Sequence, residues 1–234
     1  MIKIIIVSFM LLFILFLIYA ILPTILIRMS GREIVKRIND HAIALTFDDG
    51  PNPEYTPQLL DLLKKYGVKA SFFVVGSKVE AYPDIIRRMS QEGHTIGIHH
   101  YNHISSWILS PFHLKRQLQM TEQAIHQLTN EKVTFYRPPW GSFNLFSLFL
   151  SKRFKVIMWS HIFGDWKAAK GKSGLLSQLL QATEAGSVLL LHDCGETWGA
   201  DKLAPYYMLK CLDIYLQENV KKGTKFIALE KVNF

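Results

Sequence analysis

Cysteine is scarce in this chain. Of 234 residues only Cys194 and Cys211 are cysteines. Their spacing fits neither a zinc knuckle nor a redox pair, so a cysteine-held metal site is excluded. They read as free thiols, with one disulfide as the alternative, and do not fix the compartment. Long runs of like charge are also missing, although the formal net charge is +8. Lys and Arg are scattered, which reads as a solvated basic surface. Attraction to anionic lipid headgroups or an anionic envelope polymer is the sharper alternative. No nucleic-acid motif accompanies the charge, so no nucleic-acid partner is expected. Repeats and low-complexity tracts are absent too. With 49% hydrophobic and 20% charged residues the chain is globular, not disordered.

One long hydrophobic run is present. Ile4–Ile27 carries no charge. At about 1.5 Å per residue it spans roughly 36 Å, more than a bilayer's hydrocarbon core. It ends in Leu-Pro-Thr-Ile-Leu-Ile-Arg, with no small-residue cleavage site. The expected organisation is a membrane anchor and linker over residues 1–40, contacting lipid, and one folded domain over 41–234. Orientation draws two opposed arguments. Arg28, Arg32, Lys36 and Arg37 follow the run, which by the positive-inside rule favours a cytoplasmic domain. The chemistry below favours an extracytoplasmic one.

Roughly 195 residues remain after the anchor, enough for one substantial core. Short apolar runs alternate there with helical patterns. Strands are expected at 42–47, 70–75, 94–98, 133–136, 155–159, 187–191 and 226–229. Helices are expected at 57–66, 82–92, 111–128, 145–152, 175–183 and 203–218. Such alternation means parallel βα units, and seven of them suggest a barrel with its chemistry at the C-terminal strand ends.

Polar residues cluster at those ends. Asp48 and Asp49 end the first strand. One can bind a metal while the other acts on a bound water; the bland reading is an Asp-Asp-Gly-Pro turn. His99 and His103 follow the third strand. An i, i+4 pair in a helical turn puts both rings on one side, within reach of one cation. Five of the nine histidines lie between His94 and His113, which strengthens that reading. Arg137 precedes Pro138-Pro139 and can hold a carboxylate ionised, or be a surface arginine in a proline turn. His192 ends Leu189-Leu190-Leu191. There it can serve as a general acid with a carboxylate holding its imidazole, or be structural. Asp165-Trp166 follows the fifth strand.

Five elements in this order resemble the polysaccharide deacetylases with a NodB homology domain, carbohydrate esterase family 4. Thr46-Phe47-Asp48-Asp49-Gly50 is similar to that family's first motif and His99-His100-Tyr101-Asn102-His103 to its second. Arg137-Pro138-Pro139-Trp140-Gly141 is similar to the third, Asp165-Trp166 to the end of the fourth, and Leu190-Leu191-His192 to the fifth. The resemblance covers about residues 41–231. It implies a distorted (β/α) barrel of seven or eight strands, which the apolar run precedes with one N-terminal transmembrane helix. It implies a hydrolase removing N-acetyl groups from an N-acetylglucosamine-type glycan, such as peptidoglycan or chitooligosaccharide. Asp48 is then the base, with Arg137 positioning it. Asp49, His99 and His103 hold a divalent metal, zinc or cobalt. Asp165 supports His192, the general acid. Trp166 and Leu190 line the acetyl pocket, and the backbone N–H of Trp140 helps hold the oxyanion.

Two positions depart from the pattern. His100 replaces a Ser or Thr and is expected either to support a ligand or to lie on the surface. Ile162 replaces the first Asp of D-x-x-D-W. Other readings are a deacetylase of a lipid-linked amino sugar on the cytoplasmic face, a catalytically silent sugar-binding membrane protein, or a hydrolase of another small amide.

Overall fold

A computed structural model describes all residues, 1–234. An apolar helical segment runs over Ile2–Ser30 and is long and apolar enough to cross a membrane. It comprises α1 (Ile2–Phe16), a π turn (Leu17–Ile21) and α2 (Leu22–Ser30). Gly31, at φ 65°, caps it in the left-handed region that glycine tolerates.

Eight strands follow: β1 (Ile34–Val35), β2 (Ala44–Asp48), β3 (Ser71–Val74), β4 (Thr95–Ile98), β5 (Phe135–Tyr136), β6 (Lys155–Ile157), β7 (His161–Ile162) and β8 (Val188–His192). Between and after them lie α3 (Tyr55–Lys65), α4 (Gly76–Ala81), α5 (Pro83–Gln91), α6 (Pro111–Thr129), α7 (Ser147–Ser151), α8 (Ala168–Lys172), α9 (Leu175–Gln181) and α10 (Ala204–Lys221). The strands form one parallel sheet in the order β1-β6-β5-β4-β3-β2-β8-β7. Residues of β2, β3 and β4 are buried on both faces, as a covered parallel sheet requires. Helices supply the cover through apolar stripes: Leu59, Leu60 and Leu63 on α3, Leu114 and Leu118 on α6, and Leu212, Tyr215 and Leu216 on α10.

The sheet curls almost closed. Its two ends, β6 with β1 and β8 with β7, are joined by a chain of three residues. Met158 N donates to Val35 O on one edge, and Ser160 N donates to Val188 O on the other. A link this short holds the two edges within about 14 Å. The expected distorted barrel is therefore the fold, with β1 and β7 unpaired to each other.

Several details differ from expectation. The strand expected at 226–229 is only a bridge between Ile43 and Phe226, followed by a 3-10 turn at Leu229–Lys231. The eight strands include β1 and β7 instead, each too short to show a period. Helix α4 was not anticipated; Pro83 opens α5 and separates it from α4. Strand β1 falls in the segment expected to be linker.

Candidate active site

β2 and β8 are adjacent and parallel, and Asp48 and His192 are register partners at their C-terminal ends. Asp49 follows in the left-handed region at φ 77°. That turn swings its carboxylate away from Asp48 and toward the histidines. Asp49 Oδ1 lies 2.9 Å from His103 Nε2 and 3.3 Å from His99 Nε2. Thr197 donates to its other oxygen at 2.7 Å. Burial favours the neutral acid at Asp49. Hydrogen bonds from His103 and His99, with the charges of His103 and His192, hold it well below the usual carboxylate range.

The histidine pair does not sit in a helical turn. Residues 99–103 form a loop, with His100 at φ 61° and His103 at φ 51°. Two left-handed residues turn the chain back, so the rings converge with centroids 5.1 Å apart. Gln117 Oε1 fixes the loop by accepting from Tyr101 N and Asn102 N, each at 2.8 Å. His99 Nδ1 donates to Arg137 O at 2.7 Å, which aims Nε2 at Asp49, where the neutral ring offers its lone pair to a ligand. One donor atom each from Asp49, His99 and His103 lies within 4.8 Å of the other two, and Asp49 and His99 are buried. An N₂O set with room for further ligands suits zinc or a similar divalent ion.

Arg137 is fully buried, and its guanidinium is used throughout. Nε donates to Ile157 O at 2.9 Å and Nη2 to Met158 O at 2.8 Å. Nη1 donates to Thr46 Oγ1 at 2.9 Å and to Asp48 Oδ1 at 2.6 Å. Phe73 lies beneath it, 4.1 Å from Cζ to ring centroid. Arg137 is no surface arginine.

His192 is tied twice to Asp165. Its N–H donates to Asp165 Oδ2 at 2.7 Å, and Nδ1 lies 3.0 Å from Oδ1. Burial disfavours the imidazolium. The charge and hydrogen bond of Asp165, reinforced by Asp49 and Asp48, outweigh burial and push the imidazole up to about 9. Trp166 packs edge-on at 5.2 Å.

A cavity of about 380 Å³ collects these groups. Asp48, Asp49, His99, His103, Trp140, Trp166, Leu190 and His192 line it, while Arg137 and Asp165 stand behind the wall. Trp140, at φ 55°, brings its ring to 4.4 Å from His103. The two departures also find their places. His100 is fully buried, not on the surface: Nδ1 donates to Ile104 O and Nε2 accepts from Tyr136 OH, both at 2.7 Å. Burial, the largest cause, holds it neutral and pulls it down to about 3. Ile162 lines the cavity.

Sequence reasoning missed Arg28, Trp159, Thr197 and Trp198, which also line the cavity. None sits in a recognisable motif, and Arg28 comes from the N-terminal helix. It missed Asp193 as well. That buried carboxyl accepts from Thr56 and is pushed up to about 6, chiefly by burial.

Residues 36–157 match the family model described as polysaccharide deacetylase. A peptidoglycan-N-acetylglucosamine deacetylase of Bacillus cereus is 33% identical over 82% of this chain and 68% of its own length. The peptidoglycan-N-acetylmuramic acid deacetylase PdaC of Bacillus subtilis is 37% identical over 68% of the chain, which spans only 34% of that protein. Among solved structures, the Bc1960 peptidoglycan N-acetylglucosamine deacetylase superposes with a TM-score of 0.75 at 30% identity, covering 87% of this chain and 94% of that one. BA3943 of Bacillus anthracis, described as a CE4 family pseudoenzyme, gives 0.69 at 25% identity, covering 85% of this chain and 68% of that one. With this site on this barrel, the chain belongs to the polysaccharide deacetylase family and is an enzyme of that family.

Proposed function

We propose that the protein is a metal-dependent N-deacetylase of N-acetylglucosamine-type glycans, with peptidoglycan as the leading substrate class. One observation carries this: a carboxylate held by Arg137 and an imidazole held by Asp165 open onto the same cavity as the Asp49–His99–His103 donor set. Asp49, His99 and His103 would hold a divalent cation, which would supply Lewis acidity toward water and the acetamide oxygen. Asp48 takes the proton of the attacking water. Arg137 holds Asp48 in place through the Nη1–Oδ1 hydrogen bond. The backbone N–H of Trp140 donates to the oxyanion. His192 gives its proton to the departing amine as the C–N bond breaks and acetate leaves. Asp165 directs that proton to Nε2. Trp166 and Leu190 wall the acetyl methyl.

Acetate release decides the matter. Peptidoglycan or chitooligosaccharide with zinc or cobalt is expected to yield acetate; a chelator abolishes release and added zinc restores it. Activity untouched by thorough metal removal overturns the proposal, and absence of release from every acetylated sugar favours a silent sugar-binding protein.

Arg28 supports a second reading of the substrate. Its guanidinium lies 5.6 Å from the Trp159 ring at the cavity and pairs with no carboxylate. An acetamido sugar bearing a phosphate or carboxylate fits that charge, as in a lipid-linked amino sugar. We place the domain outside the cytoplasm, held by the Ile2–Ser30 helix. A C-terminal phosphatase fusion active in cells supports that side.

A further inference from the structure

The N-terminal helix makes no hydrogen bond to the domain before Tyr19. At Tyr19 the domain takes hold. Leu145 N donates to Tyr19 O at 2.9 Å, and Tyr19 OH donates to Leu109 O at 2.6 Å. Ala20 is fully buried. The uncharged free stretch, Ile4–Ile18, rises about 22 Å. A bilayer's hydrocarbon is about 30 Å thick. Lys3 can reach past its own level by snorkelling, but only a few ångströms of the deficit close that way. A domain gripping the helix at Tyr19 therefore reaches several ångströms inside the hydrocarbon boundary.

The surface at that level is built for lipid. Ile108, Phe112, Leu145 and Phe149 are 73%, 69%, 60% and 67% exposed. Leu145 shares an apolar groove with Leu15, Phe16 and Ile18, so the patch runs on from the free helix without a break. The far side of the gripped helix stays apolar and exposed at Leu22, Ile25, Leu26 and Met29. Cations rim the patch. Lys115 and Lys152 share a groove with Phe149, and Lys152 Nζ stands 5.2 Å from the Phe149 ring. Arg153, in the same groove, is engaged by Glu122, which leaves the two lysines for an external anion.

We propose that this face, from the loop before α6 across to α7, is immersed in the interfacial layer of an anionic bilayer. The proposal rests on the reading of Ile2–Ser30 as a membrane anchor. It goes further: the domain lies on the membrane in one orientation instead of hanging from a linker. Arg28 stands about 13 Å farther along the helix than Tyr19. That sets the cavity mouth at headgroup height, so the acetamido sugar is met within or just above the lipid headgroups.

The test uses the full chain in vesicles of phosphatidylglycerol and phosphatidylethanolamine carrying a nitroxide lipid labelled near the headgroup. A fluorophore is attached to Phe112→Cys, Phe149→Cys or, as control, Lys222→Cys beyond α10. Cys194 and Cys211 are buried, which leaves the introduced thiol as the reactive one. Quenching at 112 and 149 several-fold above that at 222 is the expected result. Retention in the membrane pellet under alkaline carbonate, with 112 and 149 quenched no more than 222, overturns the proposal and leaves the anchor standing. Cross-linking between copies through 149 without quenching also overturns it, by giving the face to a second chain. Release by carbonate removes the anchor reading and this face with it.

Discussion

Arg137 shows what a fully buried charge requires. It is out of water yet keeps hydrogen-bond partners on Nε, Nη1 and Nη2, one of them Asp48. Removing one member of such a pair strands the other, at about 3–5 kcal/mol. Arg137→Ala is expected to cost stability of that order, read as a lower denaturant midpoint, together with most of the activity. Asp48→Asn keeps the shape but removes the base, so acetate release should fall about 10²–10⁴-fold. Equal stability losses with unchanged activity in both variants would show the pair to be structural only.

His192 makes a pH prediction at the same scale. Its imidazole rises from the ordinary 6.5 to about 9 in the folded protein. A group raised on folding stabilises fully below its unfolded value, and the contribution fades as pH climbs through the folded one. The metal-free protein is therefore expected to lose stability between about pH 6.5 and 9. Asp165→Asn should flatten that slope. For activity the sign is the same, because the acid must be protonated. A cation at Asp49 cancels part of the field that raises His192, so the alkaline limb should fall below 9 in the loaded enzyme and lower still in Asp165→Asn. A pH–rate profile whose alkaline limb does not move with Asp165→Asn counts against the acid role.

At the scale of elements, the major helices and six of the eight strands were legible within a few residues, because they fall in apolar stripes and runs longer than the strands themselves. β1 and β7 were not: each is two residues at an edge of the sheet and, unlike the equally short β5, lies in no longer β-rich run. The histidine loop is the instructive case. An i, i+4 pair reads as a helical turn, yet the same convergence arises from left-handed His100 and His103. Spacing reports that two side chains meet and does not report the backbone that joins them. His100 braces this loop by spanning Tyr136 OH and Ile104 O. His100→Ser leaves the Tyr136 hydroxyl buried without its partner, at about 1–3 kcal/mol. The variant is expected to melt lower and bind zinc more weakly. An unchanged zinc affinity would separate the brace from the metal site.

For the whole molecule, the sequence drew a boundary near residue 40, with anchor and linker before it and catalytic domain after. Hydropathy identifies the long apolar run but cannot tell which of its faces meets lipid and which meets protein, since both are apolar. The polar residues within the run are Ser8, Tyr19 and Thr24, and the last two hold the domain. Thr24 Oγ1 donates to Phe143 O at 2.7 Å and accepts from Phe143 N at 2.9 Å and Trp107 Nε1 at 2.8 Å. One hydroxyl thus joins the helix to two segments of the catalytic domain and holds the turn that carries Arg28 to the cavity. Thr24→Val keeps the volume but strands two N–H donors, at about 1–3 kcal/mol. If the helix is a working part of the domain, this variant should melt lower and exchange its Phe143 amide faster. Its loss of activity should appear in KM more than in kcat, since Arg28 and not the proton carriers is displaced. A Thr24→Val protein with native melting and native exchange would mean that the helix is merely tethered, and that the cavity's Arg28 wall is dispensable.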